Sequence, residues 1–112
     1  MRAIRVHEFG GILVSEEAPA PTPGPGEVRL RVHAAGVNFA DTLMIAGRYQ
    51  IKPDLPFTPG IEVAGEVVEL GEGVKRLSLG DRVMGTVDQG GYAEEVVAEA
   101  ARFCRVPDGM DW

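Results

Sequence analysis

The chain has 112 residues, 45% hydrophobic and 25% charged, with a formal net charge of −6: one ordinary globular domain, whose acidic balance disfavours nucleic acid and anionic membrane surfaces. No apolar run approaches the ~20 residues of a membrane helix, and the start Met1-Arg2-Ala3-Ile4-Arg5-Val6-His7 lacks the apolar centre of a secretion signal. Cys104 is the single cysteine, which rules out an internal disulfide and suits a reducing, cytoplasmic setting.

Arg2 to His7 alternates weakly, as a strand does. Ala18-Pro19-Ala20-Pro21-Thr22-Pro23-Gly24-Pro25-Gly26 cannot lie inside a helix or a central strand, because proline fixes φ and removes a donor. It is an extended connector ending in a turn. Glu27 to Ala34 alternates cleanly. Val28, Leu30, Val32 and Ala34 take one side, and Glu27, Arg29, Arg31 and His33 the other, the pattern of a half-buried strand. Asn38 to Ala46 is the one clear helix, with Phe39, Leu43 and Met44 expected on a shared face and Gly47 placed to end it in a left-handed conformation. Lys52-Pro53 and Leu55-Pro56 force an irregular loop. Val63 to Leu70, Asp81 to Val87, Tyr92 to Ala98 and Phe103 to Val106 are expected strands. The first two flank Gly71-Glu72-Gly73, and the second and third flank Asp88-Gln89-Gly90-Gly91. Short strands, glycine-rich turns and one helix predict a mainly β fold, a closed or partly open barrel.

Three runs carry chemistry: Ala34-Ala35-Gly36-Val37-Asn38-Phe39-Ala40-Asp41, Pro59-Gly60-Ile61-Glu62-Val63-Ala64-Gly65 and Gly80-Asp81-Arg82-Val83. In their order and spacing they resemble the N-terminal, substrate-side lobe of the medium-chain dehydrogenase/reductase superfamily. The resemblance extends from Phe9-Gly10-Gly11 to Val106-Pro107-Asp108-Gly109, although Ile12-Leu13-Val14-Ser15 is shorter than usual and leaves the first hairpin uncertain. It implies a partly open GroES-like barrel with one or two short helices. The superfamily's zinc enzymes carry a Cys where Asn38 stands and a His where Ile61 stands. The match therefore points to the zinc-free branch of quinone oxidoreductases and enoyl reductases. Ala40 replaces a hydroxyl residue of the zinc enzymes' proton relay, and their four-cysteine lobe is missing after Gly85. His7, His33 and Cys104 have no metal-site spacing, so no metal is expected.

By resemblance, residues 1–112 form this lobe, truncated before a nucleotide-binding domain. No G-x-G-x-x-G occurs. Gly71-Glu72-Gly73-Val74-Lys75-Arg76 has Arg76 in place of the third glycine and is expected to join two antiparallel strands. The implied activity of the intact protein is hydride transfer from NADPH to a quinone or another activated double bond, with the isolated lobe inactive. An enoyl-thioester reductase lobe is the alternative within the superfamily. A free-standing GroES-like binding module, assembling as a ring, is the alternative outside it.

Four residues are candidates. Asn38 is a favoured N-cap, and Asp41, three residues on, suits the return arm of a capping box and the positive end of the helix. The resemblance places position 38 on the cleft wall beside nicotinamide and substrate, so a cofactor or substrate contact stands level with the structural role for Asn38. For Asp41 the structural role leads. Tyr49, in Gly47-Arg48-Tyr49, matches a Gly-x-Tyr of zinc-free members whose phenol faces the cleft. It is a candidate to donate a proton or bond a carbonyl oxygen, against a ring that merely covers the barrel edge. Glu62 lies near the metal in zinc relatives and here is expected to be structural or an ion-pair partner. Cys104, after Phe103, is expected to be inert core. A lobe without its companion domain exposes a docking face, and self-association is expected from it.

Overall fold

The computed structural model describes all 112 residues. Strands β1 (Arg2–Val6) and β2 (Leu13–Glu17) form an antiparallel hairpin, with Arg2 opposite Glu17 and Val6 opposite Leu13. The first hairpin, uncertain from sequence, is therefore regular. A five-stranded antiparallel sheet is built from β3 (Glu27–Ala35), β4 (Glu62–Leu70), β5 (Arg82–Thr86), β6 (Glu95–Glu99) and β7 (Phe103–Arg105), in the order β6-β3-β4-β5-β7. The two sheets are joined by the bridges Ala3–Ala93 and Val6–Phe57 and not by a continuous ladder. The barrel is thus partly open.

Alternation decides which face of the sheet is buried. Val28 and Leu30 of β3, Val63 and Val67 of β4, Val83 of β5 and Phe103 of β7 point inward and are at most 2% exposed. Each such side chain contributes about 1.5–3 kcal/mol by leaving water. The opposite face carries the row Ala34, Ala64, Met84 and Cys104, paired in turn across four strands; Ala34, expected on the inward side with Val28, Leu30 and Val32, is turned there by a bulge between Val32 and Ala34. Cys104 is exposed there, not in the core. Its neighbour Phe103 takes the inward position, and a strand turns successive side chains to opposite sides.

Tyr92 to Ala98 does not form one strand. Regular pairing starts at Glu95, because residues 92–94 bend to bond β1 instead: Ile4 N–H meets the Tyr92 carbonyl at 2.9 Å and Glu94 N–H meets the Arg2 carbonyl at 3.1 Å. Gly71-Glu72-Gly73 joins antiparallel neighbours β4 and β5 and opens no helix.

The helix α1 (Phe39–Ile45) is short. Met44 is its inward apolar residue, packed with Val6 and Phe57 in a second small core. Phe39 does not share that face and is 77% exposed. Gly47 has φ +73, and the N–H groups of Gly47 and Arg48 bond the carbonyls of Met44 and Leu43 at 3.1 and 2.8 Å. This is the left-handed glycine stop expected of the sequence.

Candidate active site

Asn38 caps α1 in an extended conformation, φ −119 and ψ 156, and forms a capping box with Asp41. In the return arm, the Asn38 N–H donates to the Asp41 carboxylate at 2.8 Å. Asp41 is only 1% exposed. It also accepts the Gly60 N–H at 3.2 Å and the Tyr92 hydroxyl at 2.8 Å. One buried carboxylate therefore fastens three segments: the start of α1, the Pro59–Gly60 turn and the turn that precedes β6.

The two turns are also paired through their backbones. Gly90 N–H bonds the Thr58 carbonyl at 2.8 Å, and the N–H groups of Gly91 and Tyr92 bond the carbonyls of Gly60 and Pro59 at 2.9 Å each. Gly60 has φ +105, and a Cβ there would stand 2.7 Å from Tyr92 N and 2.8 Å from Gly91 Cα. Only glycine suits such a position. Tyr92 responds electrostatically to its surroundings. Burial, then the hydrogen bond to Asp41, then the Asp41 charge push its hydroxyl up to about 12. Each of these disfavours phenolate, so Tyr92 remains a donor to Asp41 across the ordinary pH range.

Tyr49 lies three residues beyond the C-cap Ala46, at the far end of α1 from Asn38. Its half-buried ring packs against the Val6, Met44 and Phe57 cluster, as does Ile61. Glu62 is exposed at the start of β4. Its carboxylate covers Gly36, where a Cβ would collide with it. Glu62 also edges the chain's main concavity, about 630 Å³, together with Gly36, Met84, Thr86 and Cys104. Neither Asn38 nor Tyr49 lines that concavity. The structure thus joins Asn38 to Asp41 and leaves Tyr49 and Glu62 apart from them and from each other. Tyr92 was missed by sequence reasoning, since it is 51 residues from Asp41. The available signal was an aromatic residue directly after the double glycine Gly90-Gly91.

Residues 24–108 match the family model of the alcohol dehydrogenase GroES-like domain. The chain belongs to this family. Within it, the chain is similar to the quinone oxidoreductases. It is 45% identical to the quinone oxidoreductase-like protein 2 homolog of Nematostella vectensis, over 99% of this chain and 31% of the relative. Among solved structures it is similar to the human synaptic vesicle membrane protein VAT-1 homolog-like protein, with 37% identity and a TM-score of 0.94 over 99% of this chain and 37% of that one. It is also similar to the quinone oxidoreductase of Thermus thermophilus, studied with NADPH, with 38% identity and a TM-score of 0.85 over 99% of this chain and 34% of that one. The chain therefore spans about a third of the length of these relatives.

The Gly71-Glu72-Gly73 turn is not a cradle for a dinucleotide. It links two antiparallel strands, without the strand–turn–helix that presents backbone N–H groups to a pyrophosphate. Nor do the residues at the zinc-ligand positions of the superfamily suit a zinc ion. Asn38 is a neutral amide at the helix cap, a poor zinc ligand beside a thiolate or imidazole, and Ile61 is an aliphatic side chain packed in the second core. No helix is long and apolar enough to cross a membrane.

Proposed function

We propose that the chain is the substrate-side lobe of a cytoplasmic, NADPH-dependent quinone reductase that works without zinc, and that the nucleotide is held by a separate domain. The observation that carries this reading is the match of nearly the whole chain to quinone oxidoreductases, one of them studied with NADPH. The local chemistry agrees. A quinone is a flat apolar ring with carbonyl oxygens at its edge. Beside the Asn38 amide stand Val37 and Phe39, 82% and 77% exposed, which suit such a ring. In this reading Asn38 orients the substrate or the nicotinamide ring, and the Tyr49 hydroxyl hydrogen-bonds a carbonyl oxygen on which negative charge develops. Asn38 stands at the N-terminal end of α1 and Tyr49 beyond its C-terminal end, so the two serve different edges of the bound molecules. Asp41 and Glu62 act on structure, Asp41 by fastening the helix start and Glu62 by covering Gly36.

NADPH consumption with 1,4-benzoquinone tests the reading. The 112-residue chain alone is expected to show no turnover, because nothing in it holds the nucleotide in reacting geometry. The protein that joins this lobe to a nucleotide-binding domain is expected to turn over, and Tyr49→Phe to lower its kcat/KM on the order of a hundredfold. Turnover by the lobe alone, or an unchanged kcat/KM in both Tyr49→Phe and Asn38→Ala, would overturn it.

A further inference from the structure

We infer that Tyr92 is a positioning residue for this site: through Asp41, its hydroxyl sets the placement of Asn38 relative to the Pro59–Gly60 turn. The inference rests on the proposed role of Asn38. It follows from how the three donors share the carboxylate. Oδ2 of Asp41 accepts both the Asn38 N–H and the Tyr92 hydroxyl, each at 2.8 Å, while Oδ1 accepts the Gly60 N–H at the longer 3.2 Å. The two short bonds converge on one atom, so the Tyr92 hydroxyl fixes the point to which the helix start is drawn.

The anchor at the other end is rigid. The Tyr92 backbone donates to Pro59 and accepts from Ile4, each at 2.9 Å, so its own main chain is tied to both neighbouring segments. The Tyr92 ring lies against Gly60, whose missing Cβ leaves the necessary room. A phenylalanine would keep that ring contact and lose only the hydroxyl. Asp41 would then retain two backbone donors, one of them long, for a carboxylate that is almost wholly buried. A buried carboxylate that loses a donor moves toward whatever can replace it. The one remaining tie from Asp41 to the paired 58–60 and 90–92 turns would be the longer bond from the Gly60 N–H. A displacement of the cap by a fraction of an ångström would therefore reach the Asn38 amide. Both bonds are charge-assisted by the carboxylate, and the shorter one, from the Tyr92 hydroxyl, contributes more than the 3.2 Å bond from Gly60.

Tyr92→Phe separates positioning from folding. In amide NMR of the 112-residue chain, the Asn38 and Gly60 N–H resonances are expected to shift, as donors to a relocated carboxylate do, while resonances of the β3–β4–β5 core stay in place. In the two-domain protein, Tyr92→Phe is expected to lower kcat on the order of tenfold, at unchanged KM for NADPH. A general loss of structure would instead disturb the core resonances and both kinetic constants. If the Tyr92→Phe chain keeps the Asn38 and Gly60 resonances of the unaltered chain, Tyr92 positions nothing and the inference is wrong. If those resonances shift and kcat holds, the cap moves without consequence for the reaction, and positioning for catalysis is likewise overturned. Asn38→Ala in the same assay distinguishes the underlying reading: an unchanged kcat there removes Asn38 from the site without touching the resonance result.

Discussion

Asp41 holds its place with three neutral donors, and the Tyr92 hydroxyl is the one that titrates. Folding raises that hydroxyl from its ordinary 10.0 to about 12. Its contribution to stability is therefore complete below pH 10 and is lost as the pH rises through 12. Urea unfolding at stepped alkaline pH should show a fall in stability across this window that is absent from Tyr92→Phe. A wild-type profile that coincides with the variant's would mean that Asp41 and Tyr92 are not coupled. Asp41→Asn should bring the Tyr92 titration down without restoring 10.0, because it removes the charge and the carboxylate acceptor but not the burial that is the largest cause. Little of this was legible in the sequence. The capping pair Asn38 and Asp41 could be read because both partners lie within one helical turn. Tyr92 could not, because its partner is brought near only by the pairing of 58–60 with 90–92, a tertiary event.

The elements divide by how much their neighbours had to decide. β3 was readable from alternation through Val32, where Val28 and Leu30 are buried, but not at Ala34, which a bulge turns to the other face. The strand expected from Tyr92 started late because residues 92–94 served a second partner, which no local pattern announces. α1 has seven residues, below the ~12–15 at which isolated helices become even marginal in water. Its stability comes from the cap, the Gly47 stop and the burial of Met44. For the sheet, burial and charge can be weighed against each other at two adjacent residues. Arg29 reaches Glu69 at 2.8 Å and Glu95 at 3.3 Å, tying β3 to both neighbours. Both glutamates are partly solvated, so each pair contributes on the order of 1 kcal/mol or less. Leu30, with no measurable exposure, leaves a cavity when truncated. Leu30→Ala should cost about 2–5 kcal/mol and Arg29→Ala clearly less, by urea unfolding. Equal losses would make the charged ladder, and not the core, the principal tie between strands.

At the scale of the molecule, the chain is as compact as an independent domain. Its radius of gyration is 13.9 Å, against about 13 Å for a folded chain of this length. Yet it spans only about a third of its relatives, and it carries exposed apolar side chains on its surface. Val37 and Phe39 are more than three-quarters exposed on either side of Asn38, and Ile51 is 56% exposed in the loop beyond α1. Exposed single apolar residues are common, but two flanking a candidate site residue at the end of a helix are the kind of surface that another body covers. In the proposed enzyme the nucleotide-binding domain and the quinone would share that task. With neither present, a second copy of the chain is the apolar surface available. Sedimentation equilibrium at high concentration should therefore show weak self-association. Phe39→Glu should shift it to monomer without lowering Tm, because the ring contributes little to the fold it protrudes from. A wild-type chain that stays strictly monomeric would show that solvent tolerates this surface, and the reason for its apolar character would have to be sought in the bound quinone alone.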